Sequence, residues 1–283
     1  MKMYIKYLIL LIVLLIISCT NTRNNYAISF DGNHIYYNDK GKNKPTIVFI
    51  HGFSVTKEFW DYQLEQLSVD YRTVAIDLAG FGESDTMRQN WTIESFGKDV
   101  ESVIKKLKLK QVVLVGASMG ATVAFETAKL LPNRVIGIVP VDALRDVDRY
   151  ASQEWVNSFI RYMKEAWKDA DSWSFSEDQD VIQRYVDQLP EKAPEFWWEI
   201  LPEIYRWIND DFKNILQDID VPVYSINADD FPTTVETWRE HVPTFEVTII
   251  PDVGHYLVWE KPDTFNAILS EIVDKFYYID KEI

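Results

Sequence analysis

The central motif of the chain reads Gln111-Val-Val-Leu-Val-Gly116-Ala117-Ser118-Met119-Gly120. A β-branched apolar run of strand length leads into Gly-x-Ser-x-Gly, and residues 121–131 then carry apolar side chains at helical spacing. In such a strand-turn-helix unit the serine lies on a strained turn, and the glycines let strand and helix approach closely. The helix N-terminus points at the same place, where its N–H groups would stabilise an oxyanion. The motif therefore predicts that Ser118 is a nucleophile.

A nucleophilic serine requires a base, and the chain contains four histidines. His34 falls in a predicted edge hairpin with an Asp-Gly turn, and His241 ends a polar helical segment. His255 instead follows an apolar strand, 245–250, and a Pro-Asp-Val-Gly turn. A loop at the carboxyl end of a late strand can reach a serine at the end of an earlier one, so His255 is the preferred base.

Strands and helices alternate on both sides of the motif. Apolar runs at 46–50 and 72–76 predict strands, and periodic segments at about 57–68 and 93–107 predict helices. This alternation indicates an α/β fold with a mostly parallel, doubly wound sheet covered by helices on both faces.

The alternation stops between 145 and 217, where the chain has a helical pattern and no strand run. The aromatic residues of this stretch are Trp155, Tyr162, Trp167, Trp173, Tyr185, Trp197, Trp198, Tyr205 and Trp207. We interpret it as a helical lid inserted into a core made of 26–144 and 218–283. Most of these rings would pack lid against core, and the remainder favour an apolar acyl or aryl substrate.

Four motifs occur in a familiar order at ordinary separations: Ile50-His51-Gly52-Phe53, Asp77-Leu-Ala-Gly80-Phe-Gly82-Glu-Ser84, Gly116-Ala-Ser118-Met-Gly120, and Gly254-His255 followed by Glu260-Lys-Pro. Together they resemble the α/β-hydrolase superfamily over residues 46–278, and most closely its lid-bearing serine esterases and peptidase-like members. The resemblance implies that the N–H groups of Phe53 and Met119 form the oxyanion hole. It also implies that His51 stabilises the adjacent turn and is not the base.

The acid that orients the histidine has three candidates. Asp229 is the first choice, because relatives carry a similar Asn-x-Asp-x-aromatic-Pro-Thr segment after the strand that follows the lid. Counting from the glycine of the common Gly-x-x-Asp pattern selects Asp230 instead. Asp142 ends an apolar run after an earlier strand, where some branches of the family place the acid and where a carboxylate requires a partner.

The N-terminus predicts export. Lys2 and Lys6 precede an apolar run from 7 to 17, which is too short to span a membrane and is typical of a signal peptide. The chain's single cysteine, Cys19, follows directly, and 16–19 resemble a bacterial lipobox. The sequence thus predicts a signal peptide over 1–18, a lipidated Cys19, a polar tether over 19–25 and an extracytoplasmic, membrane-anchored protein. Cleavage of a simple signal peptide nearby, giving a secreted or periplasmic protein, is the alternative.

The formal net charge of −15 disfavours a nucleic-acid partner and any electrostatic hold on anionic lipid. The scattered histidines and the single cysteine predict no metal and no cofactor. We therefore expect a serine hydrolase that cleaves a carboxylic ester of a small to medium apolar substrate through an acyl-enzyme. Amide, thioester or carbon–carbon bond hydrolysis on the same triad is the alternative reaction. A non-catalytic binding protein on this scaffold is the alternative of another class. Within the family, serine at the nucleophile position argues against the haloalkane dehalogenase and epoxide hydrolase branches, which use aspartate.

Overall fold

The computed structural model describes residues 25–167 and 175–282. Within these ranges eight strands form one sheet in the order β1-β2-β4-β3-β5-β6-β7-β8. Their bounds are β1 (Tyr26–Ile28), β2 (His34–Lys40), β3 (Thr46–Ile50), β4 (Arg72–Ile76), β5 (Val112–Ala117), β6 (Val135–Val141), β7 (Tyr224–Ala228) and β8 (Glu246–Ile250).

The sheet is antiparallel only at one edge. Strand β1 pairs with β2 and β2 with β4 in antiparallel register, and all pairs from β4 to β8 are parallel. Every residue of β3, β5 and β6 is buried, because helices cover both faces of a parallel sheet. The predicted fold class is confirmed, and the strand order brings the carboxyl ends of β5, β6, β7 and β8 together at one edge.

Helices connect the parallel strands. The bounds are α1 (Asp61–Leu67), preceded by a 3₁₀ turn (Lys57–Trp60), α2 (Ile93–Lys106), α3 (Met119–Leu130), α4 (Gln153–Ala166), α5 (Gln179–Val186), α6 (Trp197–Asp210), α7 (Phe212–Leu216), α8 (Val235–His241), α9 (Leu257–Glu260) and α10 (Pro262–Glu282). The start of α2 follows from its sequence, since the Thr92 hydroxyl accepts the N–H of Ser95 at 3.2 Å and caps the helix. Lys105 and Lys106 in its last turn suit the negative end of the helix dipole.

Helices α4 to α7 lie between β6 and β7, and we call residues 145–217 the helical segment. Two indole groups attach it to the core by hydrogen bonds. The Trp197 Nε1–H donates to the carbonyl oxygen of Gly80 at 3.1 Å, and that of Trp207 to Glu126 Oε1 at 2.8 Å. These buried bonds satisfy indole N–H groups that would otherwise be costly to bury, and they fix both rings against the core.

Two sequence predictions fall outside the described residues. Trp173 belongs to the gap between the two described ranges, and the predicted signal peptide and Cys19 precede residue 25. Across the described part of the chain, no helix combines the length and apolarity needed to cross a membrane.

Candidate active site

Ser118 lies on a strained turn between β5 and α3. Its φ and ψ are 51° and −118°, a backbone conformation that an L-residue adopts only at a cost of about 1–3 kcal/mol. The neighbouring glycines explain how the turn packs. A Cβ at Gly116 would lie 2.2 Å from the carbonyl oxygen of Gly120, and one at Gly120 would lie 2.3 Å from that of Ile50. No larger residue fits at either position, so the Gly-x-Ser-x-Gly pattern has a steric origin.

The loop after β3 approaches the serine from the other side. A Cβ at Gly52 would lie 3.3 Å from the Cβ of Ser118, which places this backbone directly against the nucleophile. The next amide is that of Phe53. Among the described residues, neither the Phe53 N–H nor the Met119 N–H has a hydrogen-bonded partner. Two unpaired N–H groups on either side of a serine are the donors that an oxyanion hole requires.

His51 holds this loop and is fully buried. Its Nδ1–H donates to the carbonyl oxygen of Gly52 at 2.7 Å, and its Nε2 accepts the N–H of Leu78 at 3.1 Å. Burial lowers the pKa of His51, so the ring is neutral with its proton on Nδ1. Because both ring nitrogens are occupied by backbone groups, His51 positions the loop and is not available as a base.

The candidate base pairs with Asp142. The Nδ1 of His255 lies 2.5 Å from Asp142 Oδ2, and the other oxygen, Oδ1, accepts the N–H of Ala228 at 3.0 Å and a hydrogen bond from Arg145. Burial would raise the pKa of Asp142, but the His255 hydrogen bond and charge, the Arg145 charge and the Ala228 N–H together lower it below 3.8. Asp142 is therefore an anion that holds His255 through Nδ1, which leaves Nε2 as the ring nitrogen not engaged by the acid.

The structure pairs His255 with Asp142 and not with Asp229, the first choice from the sequence. Asp229 Oδ1 accepts the N–H of Asp252 at 3.2 Å, and Asp230 forms an ion pair with Arg145 at 2.5 Å. Both acids lie at the same edge of the sheet, and the packing of the turn after β6 against the loops after β7 and β8 decides which one meets His255. Asp142 is the first residue past β6, and its φ of 47° belongs to a tight turn at that strand end. Of the three candidate acids, only Asp142 contacts the histidine.

The candidate triad, the oxyanion-hole residues and the three candidate acids face one cavity of about 870 Å³. Its wall includes Ser118, His255, Asp142, Phe53 and Met119, and also both rejected acids, Asp229 and Asp230. The helical segment supplies much of the remaining wall, through Phe159, Tyr162, Met163, Phe175, Ser176, Glu177, Tyr185, Leu201, Ile204, Tyr205 and Ile208. The Phe175 carbonyl oxygen also accepts the backbone N–H of His255 at 2.8 Å. The segment therefore lines the cavity that holds the serine and contacts the histidine loop directly.

Sequence reasoning missed a group of hydroxyls in this wall. Ser54 Oγ lies 2.7 Å from the Tyr185 hydroxyl and donates to the carbonyl oxygen of Phe53 at 2.6 Å. Tyr185 in turn hydrogen-bonds Tyr256, and burial raises the pKa of both phenols, so each remains a neutral donor. Tyr256 could have been found from its place beside His255, whereas Ser54 and Tyr185 are 131 positions apart and meet only in the fold.

Arg145 was also missed. It follows Asp142 by three residues in a segment that the sequence marked only as the start of the lid. A lone arginine just after an apolar strand that ends in aspartate is the signal that could have found it, since a buried carboxylate requires a counter-charge. No group of three or more metal-ligating side chains occurs in the ranges that the structure describes.

Comparison with known proteins identifies the family of the chain. Residues 47–268 match the family model described as "Alpha/beta hydrolase family". The chain is 28% identical over 261 residues to a putative non-heme chloroperoxidase of Synechocystis sp., covering 83% of this chain and 93% of that protein. It is 25% identical over 278 residues to epoxide hydrolase 3 of Xenopus tropicalis, covering 85% and 74%.

A thermophilic esterase from Thermogutta terrifontis has a similar structure. It superposes with a TM-score of 0.75 at 22% identity, and the match covers 89% of this chain and 98% of the esterase. At this identity the likeness establishes the fold and leaves the substrate to be argued from the cavity.

Proposed function

Because the chain belongs to the alpha/beta hydrolase family, we propose that it is a serine hydrolase that cleaves carboxylic esters of small to medium apolar substrates. The observation that carries the proposal is the pairing of His255 with a buried, ionised Asp142 in the cavity that also holds Ser118 at its elbow. Aspartate at the nucleophile position would instead have favoured epoxide opening, the activity named for one of the relatives. Serine at 118 favours acyl transfer.

The mechanism follows from the atoms that are left available. Ser118 Oγ attacks the ester carbonyl carbon while His255 Nε2 takes its proton, since Nδ1 is held by Asp142. The Phe53 and Met119 N–H groups stabilise the oxyanion of the tetrahedral intermediate. His255 then returns the proton to the leaving alkoxide, and an alcohol departs. Water, deprotonated by His255, hydrolyses the acyl-enzyme and regenerates the Ser118 hydroxyl.

The cavity supports an apolar substrate. The helical segment contributes the apolar side chains Phe159, Met163, Leu201, Ile204 and Ile208 to the wall, which also carries the triad, the tyrosine hydroxyls and several charged side chains. A volume of about 870 Å³ accommodates an acyl or aryl group of moderate size. We propose that the helical segment acts as a lid, because it supplies much of the cavity wall and contacts the histidine loop at Phe175.

An activity probe combined with two substrate series tests this proposal. A fluorophosphonate probe should label the wild-type protein and not Ser118→Ala, and p-nitrophenyl esters should be cleaved in preference to aminoacyl anilides. Ser118→Ala should stay folded and lose several orders of magnitude of turnover, because only the oxyanion hole remains. A folded wild-type protein that is neither labelled nor active would instead be a binding protein, and faster cleavage of anilides would assign an amidase.

We also propose that the mature protein is anchored outside the cytoplasm by a lipid on Cys19. The support is the sequence alone, namely the apolar run that ends at a lipobox-like Ile-Ser-Cys. Cys19→Ser should release the protein from the membrane fraction or leave an uncleaved precursor, because the thioether can form only on the thiol. Normal processing and pelleting of this variant would exclude the anchor.

A further inference from the structure

Arg145 occupies the space between the candidate acid and the loop after β7. Its Nη2 donates to Asp142 Oδ1 and, at 2.5 Å, to Asp230 Oδ1. Its Nη1 donates to the carbonyl oxygen of Ala228 at 3.1 Å and to that of Phe231. The Arg145 side chain is only 11% exposed, and its one guanidinium joins two carboxylates and two backbone carbonyls.

The turn that carries the acid needs such support. Asp142 and Leu144 have φ values of 47° and 51°, which are unfavourable for residues with a side chain. A turn of this kind persists only where its surroundings hold it. The backbone of Arg145 contributes as well, because its carbonyl oxygen accepts the N–H of Thr234 at 2.8 Å. Arg145 therefore joins the turn at 142–145 to the loop at 228–234 through both its backbone and its side chain.

We propose that Arg145 is a positioning residue for the triad, holding Asp142 in the orientation and charge state that His255 requires. This inference rests on the proposed hydrolase function, and Arg145 itself need not touch the substrate. The planar guanidinium supplies two properties that can be separated by mutation. Its positive charge acts on the Asp142–His255 pair. Its fork geometry holds the carbonyl groups of Ala228 and Phe231 against the turn at 142–145.

The charge should be visible in the pH dependence. A cation beside the pair opposes protonation of His255, so removing it should move proton uptake by His255 to higher pH. Only the neutral ring can act as base, and the loss of activity on acidification should therefore occur at higher pH. The other charged groups around the cavity are Asp146, Arg149, Glu177, Asp229, Asp230, Asp252 and Glu260, and none of them is mutated in the variants compared.

Three variants separate these effects. Arg145→Gln removes charge and fork, Arg145→Lys keeps the charge alone, and Arg72→Gln is the matched control, since Arg72 makes a two-point ion pair with Asp39 outside the cavity. Arg145→Gln should lower kcat by about tenfold or more, part of the ~10⁴ that a triad acid supplies. In Arg145→Gln the pH at which activity is lost on acidification should rise by about one unit. Arg145→Lys should have a reduced kcat but lose activity at the same acidic pH as wild type. Arg72→Gln should match wild type in both kcat and this pH.

A second readout does not depend on turnover. In the Ser118→Ala background, the titration of His255 can be followed by NMR, because only three other histidines contribute. Arg145→Gln should move the His255 titration upward relative to Ser118→Ala alone. The proposal would be overturned by a folded Arg145→Gln variant in which neither the His255 titration nor the pH of acidic activity loss has changed. If Arg145→Gln does not fold, wild-type kcat in Arg145→Lys would overturn it. An enzyme that fails to cleave esters but shows the shifted titration would refute the proposed function and not the role of Arg145.

Discussion

Replacing Asp142 by Asn tests the assignment of the acid. The side chain keeps its shape, and its amide oxygen can still accept the Ala228 N–H and the Arg145 hydrogen bond that Oδ1 accepts now. What changes is the atom facing His255 Nδ1 at 2.5 Å, where a carboxylate oxygen becomes an NH₂ group. Two donors cannot face each other, so the His255 ring shifts its proton to Nε2 and can no longer deprotonate Ser118.

The expected loss is about 10⁴ in kcat, the size observed when a triad aspartate is replaced by asparagine in a serine protease. It combines the wrong tautomer with loss of the charge that steadies the imidazolium. KM should change little, because Asp142 contributes only one edge of a cavity of about 870 Å³. Steady-state kinetics on a p-nitrophenyl ester, with thermal unfolding of each variant, provides the measurement.

Asp229→Asn is the matched control. It makes the same chemical change in the same cavity. Within the described ranges its carboxylate accepts one hydrogen bond, from the backbone N–H of Asp252 at 3.2 Å, and an amide oxygen can accept that bond as well. Its kcat should stay within severalfold of wild type. The reasoning fails if Asp229→Asn is the crippled variant while Asp142→Asn stays active, since His255 would then turn to the β7 loop during catalysis.

Three further predictions concern the surroundings of the triad. The lowered pKa of Asp142 stabilises the fold above its unfolded value of 3.8, and this contribution is lost as pH falls through the folded value. The difference in free energy of unfolding between wild type and Asp142→Asn should therefore shrink below about pH 4 in urea titrations. His51→Ala leaves a buried backbone N–H and carbonyl unpaired, at about 1–3 kcal/mol each, so both Tm and kcat should fall and a wild-type Tm would contradict the loop-holding role. Gly120→Ala places a Cβ 2.3 Å from the Ile50 carbonyl oxygen and should yield little soluble protein. Gly32→Ala meets no atom within 4 Å but has a φ of 89°, so it should lose about 1–2 kcal/mol of stability from backbone strain and still express.

Local patterns in the sequence were sufficient for the fold and for two members of the candidate triad. The strand and helix around Ser118 are adjacent in the chain, and their packing demands glycine at 116 and 120 for reasons of contact distance alone. His255 could be selected because few histidines compete and only one follows a late strand in a glycine turn. Such features depend on neighbours within a few residues, and a sequence displays those directly.

The acid depended on tertiary structure. Asp142 and Asp229 each directly follow a strand, β6 and β7, and these strands are neighbours in the sheet, so both carboxylates come to the same edge. Which one meets His255 depends on how the turn at 142–145 packs with the loops after β7 and β8. Arg145 joins this turn to the loop after β7 through Asp230, which lies 85 positions away in the sequence. The cavity wall has the same origin, since Ser54, Tyr185 and Tyr256 lie on three separate elements. Contacts between distant segments are set by the packing of the whole core, and no local pattern encodes them.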